Sequence, residues 1–309
     1  MILLWGLLED DSTGLVHDAL EKSGAKFFFL DHRRIFTSEV EFEAGLGSDI
    51  KGTLSDGQRS LNLAEIGAAY FRGYNFLDYE EMQGKGYDDP LALKATGFET
   101  QLIGYLNSSK ALVLNRSEPS ATNGSKPFQL KIIQNAGFHV PETLITNNPE
   151  AARDFIAAGD GTICKSISGV RSIVRKVTDA QIDSLADIQW CPTLFQKIVP
   201  GINYRAHVLD DQVFAVRIES DELDYRYGQT KMYPDTVPVE VAQKCISLNQ
   251  KLGLGFSGID LMRTPDDKWF CYEVNPSPAY SYFERGSGMQ VSRAVAKFLV
   301  DADSGRRPS

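Results

Sequence analysis

Residues Gly258 to Glu284 read GIDLMRTPDDKWFCYEVNPSPAYSYFE, and the pattern is that of a β-hairpin. Two runs rich in β-branched and aromatic residues flank the turn signal Thr264-Pro265-Asp266-Asp267. Side chains two apart on a strand share a face, so Glu273 and Asn275 point the same way. With Asp266 and Asp267 as the two central loop residues, Asp260 falls opposite Glu273. Two carboxylates and an amide oxygen are hard donors of the kind Mg²⁺ takes while it bridges the phosphates of a nucleotide. The competing reading is a polar, solvated hairpin face. The run carrying Phe270, Tyr272 and Val274 looks half buried, and an unpaired carboxylate is costly there, which favours the metal.

Upstream of the hairpin, from Pro192, the chain gives TLFQKIV, NYRAHVL, a turn at Asp210-Asp211 and QVFAVRIES, an antiparallel meander. A helix over VPVEVAQKCISLNQKLG packs on it, and a last helix runs from about Met289 to Val300. Before the meander, RSEPSATNGSKP marks a domain crossover. It leads into the helix PFQLKIIQNAGF, the strand VPETLIT, a helix opened by Asn147-Asn148-Pro149, and the strands GTICKSI and RSIVRKV. The N-terminal part alternates strand-like ILLWGLL, AKFFFLD, AAYFRGY and ALVLN with helices near Gly14–Ser23 and Asp89–Leu106, the signature of an open α/β sheet. GTLSDGQRSLNL reads as a short hairpin. The division is therefore an α/β domain over 1–115, a small α+β module over 116–191, an antiparallel-sheet domain over 192–300 and a disordered tail over 301–309.

At 309 residues the chain can bury a substantial core in two or three lobes. Its 32 Lys and Arg against 41 Asp and Glu, a net charge of −9, disfavour a general nucleic-acid surface but not a local basic cleft for phosphates. MILLWGLLEDD lacks a basic n-region and a cleavage site, and no apolar run reaches membrane-span length, so the expectation is a cytoplasmic protein with neither nucleic-acid nor membrane partner. Cys164, Cys191, Cys245 and Cys271 lack metal-cluster or disulfide-framework spacing. The four histidines receive no role.

Lysines ahead of the metal hairpin suggest a nucleotide held between two sheets. Lys165 interrupts the apolar strand GTICKSI, which suits a phosphate contact, and Lys126 opens the central module. For Lys126 the alternative is a stem snorkelling along an edge. The loop SISGVRS offers backbone amides and Arg171 to a phosphate or acyl phosphate, or is a plain hairpin turn; it is no P-loop. Arg205 and Arg217 sit on neighbouring strands and are expected to project into one cleft, with Arg226 just beyond; arginine forks suit phosphates and carboxylates. Surface salt bridges with Glu219, Asp221 or Asp224 are the alternative.

The order of these features resembles the RimK-like branch of the ATP-grasp superfamily, and most of all the maturases of graspetide (microviridin-type) peptides. The specific stretches are WCPTLFQKIVPGINYRAHVLDDQVFAVRIES and GFSGIDLMRTPDDKWFCYEVNP; KGTLSDGQRSLNLAEIGAAYFR and HVPETLITNNPEAARDF match in style. The resemblance implies an ATP-grasp fold in which the central module is a lid. It implies an ATP-dependent ligase that activates a carboxylate as an acyl phosphate and passes it to an amine or hydroxyl. The acceptor would be a peptide, with a free amino acid joined to a small acid, or a non-catalytic ATP-binding regulator, as the alternatives. Carried over to this chain, Lys126 and Lys165 would hold ATP phosphates, and the backbone of Gln196, Lys197 and Ile198 would read adenine. Asn203 stands where the family often has an acidic ribose contact. Arg205 and Arg217 would approach the phosphates; beside that carry-over, Arg217, Arg226 and Arg171 are expected from their own chemistry to serve the transfer. Asp260, Glu273 and Asn275 would hold Mg²⁺, as two ions. A homodimer stays open. ESDELDYRYG is short for a peptide-cyclising enzyme, and NPSPAYSYFE differs from the family's usual sequence after the Asn.

Overall fold

The five residues of β1 (Ile2–Gly6) are all buried, the continuous apolar run of a parallel strand covered on both faces. In α1 (Asp11–Ser23), Asp10 caps the start by accepting the Thr13 amide at 3.1 Å, and Gly24 ends the helix at φ 68°. There follow β2 (Phe27–Asp31), an antiparallel ribbon of β3 (Glu39–Glu43), β4 (Lys51–Ser55) and β5 (Ser60–Asn62), then β6 (Ala68–Phe71), α2 (Pro90–Ser108), β7 (Leu112–Leu114) and the short α3 (Ser117–Ser120). Strands β2, β1, β6 and β7, in that order, form one parallel sheet. Leu3, Trp5, Leu30, Phe76, Phe98 and Leu102 fill its core. This is the open α/β lobe that the alternation in the sequence indicates.

The computed structural model describes residues 1–43, 51–159, 161–167, 174–222, 225 and 228–306. It divides into two units, one formed by Met1–Ser117 with Ala279–Glu284 and the stretch from Gln290, the other by Glu118–Pro278 with Arg285–Met289.

The second unit begins with α4 (Lys126–Asn135). A small module follows, made of β8 (Thr143–Thr146), α5 (Pro149–Ala157), β9 (Thr162–Ser166), β10 (Arg175–Lys176), α6 (Asp179–Asp183) and β11 (Thr193–Lys197). Its antiparallel sheet runs β10-β9-β11-β8 over a core of Ala152, Leu185 and Phe195. Here one expectation is corrected: TLFQKIV pairs with β8 and β9 and belongs to this sheet, not to the meander after it. Its alternation fits either partner, and local pattern does not choose between them.

The larger sheet of this unit joins β12 (Ile202–Leu209), β13 (Gln212–Ser220), β14 (Thr230–Asp235), β15 (Phe256–Arg263) and β16 (Trp269–Asn275), with α7 (Val239–Lys251) between the last two pairs in sequence. The order is β14-β13-β12-β15-β16, antiparallel throughout. Tyr204, Ala206, Val208, Ile259 and Leu261 pack on Val241, Cys245 and Leu248 of α7. By alternation Asn203, Arg205, His207, Gly258, Asp260 and Met262 look to the other face.

After α8 (Tyr280–Ser287) the chain closes with α9 (Val291–Asp303), which packs on α1, β1, β6 and β7 of the first unit. The helix thus extends into the expected tail, and the Asp303 carboxylate pairs with the Met1 amino group. No helix among the described residues is long and apolar enough to cross a membrane.

Candidate active site

The β15–β16 hairpin brings Asp260 opposite Glu273, but not through the two-residue loop read from the sequence. Thr264 and Lys268 close the loop: the Thr264 amide donates to the Lys268 carbonyl at 2.9 Å and the Asp267 amide to the Thr264 carbonyl at 3.0 Å. The loop is Pro265-Asp266-Asp267, with Asp267 left-handed at φ 59°, a common three-residue form. That geometry alone would set Asp260 against Tyr272. A β-bulge intervenes: Leu261 pairs with Cys271 and Asp260 with Glu273, so Tyr272 is the extra residue. The bulge also reverses the side-chain phase of β16. Trp269, Cys271 and Val274 therefore all join the α7 core, and Phe270 and Tyr272 do not share a face with Val274.

Glu273 is the centre of the arrangement. Lys126 Nζ, from the first residue of α4, lies 2.9 Å from Glu273 Oε2, and Lys165 Nζ, from β9, lies 3.9 Å from the same oxygen. On the neighbouring strand Arg205 Nη1 donates to Asp260 Oδ1 at 2.7 Å. Asn275 Nδ2 reaches Asp260 Oδ2 and Glu273 Oε1 at 3.3 Å each, tying the three acidic-edge residues together. Lys126, Lys165 and Arg205 are 6%, 8% and 5% exposed, so these charges act with little solvent screening. Burial works against the Glu273 carboxylate, but the Lys126 and Lys165 ammonium groups outweigh it and hold its pKa down to about 2. Burial pushes Asp260 up; Arg205 lowers it only in part, and the Glu273 charge adds to the rise. Two hard carboxylates in such tension, with a carboxamide beside them, fit a divalent oxygen-seeking cation such as Mg²⁺, whose charge would relieve it.

The remaining expected residues divide. Gln196 faces the same side of the smaller sheet as Lys165, since Leu194 pairs with Lys165 and Gln196 with Ile163. It is 1% exposed; its Nε2 donates to Thr143 Oγ1 at 2.9 Å, and its Oε1 has no hydrogen-bond partner among the described residues. The Lys197 and Ile198 amides are engaged to the Glu142 and Gly161 carbonyls at 2.9 and 3.2 Å, so these two donors do not face outward. The Lys197 ammonium is turned to the Phe155 carbonyl at 2.6 Å. Asn203 lies on the Arg205 face of β12. Arg217 does not join Arg205, contrary to expectation: it pairs with Tyr204, one residue out of phase, and so lies on the opposite face. There it meets Glu219, sits 3.7 Å from Asp235 and stacks over the Tyr233 ring at 4.6 Å. Arg171 and Arg226 lie outside the described residues.

Three contributors escape the sequence reading. Gln129, one helical turn after Lys126, donates to the Val274 carbonyl at 2.9 Å and accepts its amide at 3.0 Å, locking β16 beside Glu273. The i, i+3 spacing from Lys126 was the available signal. Tyr225 donates to Asp260 Oδ1 at 3.4 Å. His207, two residues from Arg205 on the same face, is fully buried, and burial followed by the Arg205 charge pushes its pKa well below the ordinary histidine value.

A small antiparallel module and the helix before it, each offering a lysine to the carboxylates of a larger antiparallel sheet, make the architecture of the ATP-grasp class. Residues 123–299 match the RimK-like ATP-grasp domain, and the chain belongs to that family. It is an ATP-consuming ligase. Among solved structures it is similar to the macrocyclase MdnC of Microcystis aeruginosa bound with the precursor peptide MdnA, at 26% identity over 97% of this chain and 100% of that one, TM-score 0.82. It is similar also to the ATP-grasp ligase PsnB complexed with a minimal precursor, at 28% identity, 97% and 98% coverage and TM-score 0.81. PsnB with a phosphomimetic variant of the minimal precursor, Mg and ADP matches at 27% identity, 98% of both chains and TM-score 0.77. No curated protein matches the chain.

Proposed function

We propose that the protein ligates a side-chain carboxylate of a peptide to an amine or hydroxyl of the same peptide, forming ω-amide or ω-ester bonds at the expense of ATP. The observation that carries this reading is the likeness, along nearly the whole chain, to ligases solved with precursor peptides. In this reading a carboxylate oxygen of the substrate attacks the γ-phosphorus, the bond to ADP breaks, and an acyl phosphate forms. The amine or hydroxyl then attacks the carbonyl, loses its proton, and phosphate leaves with the former carboxylate oxygen. Mg²⁺, as two ions between Asp260, Glu273 and Asn275, would neutralise charge on the transferring phosphoryl group. Lys126 and Lys165, which now face Glu273, would hold phosphate oxygens of ATP, and Glu273 would be a ligand of the metal. Gln196 Oε1 and the carbonyls of the Gln196–Ile198 segment receive the adenine amine, and Asn203 meets the ribose. Arg205 opposes the rise in the Asp260 pKa and keeps the carboxylate aimed. Arg171 and Arg226 are assigned to the acyl phosphate.

No covalent protein nucleophile is required, so positioning and electrostatics supply the rate. The test is incubation of the protein with ATP, Mg²⁺ and candidate acceptor peptides that carry side-chain carboxylates together with amines or hydroxyls. The expected result is ADP release matched by loss of one water from the peptide per bond. ADP release only with a free amino acid and a small acid would move the assignment to the smaller substrates. Absence of ADP with every acceptor would leave a nucleotide-binding regulator.

A further inference from the structure

Two residues before Asp260, β15 carries a glycine whose missing side chain is used. A Cβ on Gly258 would lie 2.2 Å from Arg205 Nη2, 2.6 Å from Cζ and 2.7 Å from Nε, inside any permitted contact. Gly258 stands opposite His207, and Asp260 opposite Arg205. The Arg205 side chain therefore leans along the ladder toward the next pair, rests its guanidinium over the bare Cα of Gly258 and still donates to Asp260 at 2.7 Å. The backbone does not call for glycine, because Gly258 is not among the positive-φ residues. Nor can the strand recede, since β12 and β16 hold β15 from both sides. On the arginine's own strand the fully buried His207 stands directly across the ladder from Gly258.

We infer that Gly258 is a positioning residue for the acidic centre: its lack of a side chain seats the Arg205 guanidinium on Asp260 and so fixes the carboxylate that meets the metal. The inference rests on the proposed reading of Asp260 as a metal ligand. An alanine here adds one carbon to a place filled by the guanidinium, which must swing away and release Asp260. The loss reaches the metal through the arginine, so it disappears once the arginine is gone.

The test is a double-mutant cycle read by Mn²⁺ binding in the presence of ADP, followed by electron paramagnetic resonance, with melting temperature recorded alongside. Gly258→Ala is expected to weaken Mn²⁺ binding about tenfold or more, as loss of groups that orient metal ligands does. In an Arg205→Ala background the same substitution should change it by less than about twofold. Should Gly258→Ala fail to fold, the double variant, where the space is vacated, should regain the melting temperature of Arg205→Ala; failure to regain it overturns the inference. Equal losses in both backgrounds, or wild-type Mn²⁺ affinity in Gly258→Ala, overturn it as well. Asp260→Asn separates the two levels. If that variant binds Mn²⁺ as tightly as wild type, the metal reading itself falls and the positioning role with it. If it binds weakly while the Gly258 effect is additive, only the positioning role falls.

Discussion

Glu273 holds two ammonium groups in place, and it is the residue the metal would claim. Glu273→Gln keeps the shape and removes the charge. It should cut ATP turnover by at least about a hundredfold, comparable with losing a main electrostatic contact in a transition state. It should also cost about 3 kcal/mol of stability, since the buried Lys126 and Lys165 ammonium groups lose the carboxylate that faces them. Denaturation with and without the added change Lys126→Met checks this: the pair should recover stability but not turnover. Near wild-type ADP release by Glu273→Gln at saturating Mg²⁺ contradicts the metal assignment. At this scale the acidic set and Lys165 are legible in the sequence, because a charge in an apolar strand announces itself; Lys126, at the start of a helix, carries no such signal. The face of Arg217 is legible as well, although the expectation of a shared cleft overlooks it: the two-residue Asp210-Asp211 turn pairs Leu209 with Gln212 and hence Tyr204 with Arg217, one position out of phase with Arg205.

In the hairpin two departures cancel. The loop is one residue longer than the Asp266-Asp267 turn suggests, and the bulge at Tyr272 returns Asp260 to Glu273. The pairing could be read from the turn signal, whereas the means could not, since bulges leave little trace in composition. β16 is an edge strand, and its exposed ladder next to the site is covered by Gln129, whose carboxamide meets both backbone groups of Val274. Gln129→Leu fills much the same volume and leaves a buried amide and carbonyl unmet. The expected loss is about 2 to 6 kcal/mol of unfolding free energy, at about 1 to 3 for each of the two unsatisfied groups. Urea titration measures it. A loss under about 0.5 kcal/mol would mean the edge is held by other contacts, such as those of His139 with Trp269 and Cys271.

For the whole molecule, the alternation of the first 115 residues was enough to indicate a parallel α/β lobe, but the return of α9 to that lobe was not legible. Its partners are α1, β1, β6 and β7, far away in sequence, and an amphipathic helix does not name the surface it covers. One property of the molecule follows from a histidine given no role at first. His207 is buried neutral, with its pKa well below the ordinary value. Below a pH of about 6.5 the unfolded chain therefore binds a proton that the folded chain refuses, and stability falls as pH falls. Between pH 6.5 and 5.5 this single group should remove about 1 kcal/mol, a loss absent from His207→Gln under the same conditions. Parallel pH dependence of the urea midpoint in the two proteins would contradict it.

The central claim is that a substrate carboxylate is phosphorylated before it is coupled. It is tested most directly by supplying the peptide with its side-chain carboxylates carrying heavy oxygen and analysing the phosphate released by mass spectrometry. Passage through an acyl phosphate requires one labelled oxygen to appear in phosphate for every bond made. Phosphate free of label, alongside coupled peptide, would contradict the account.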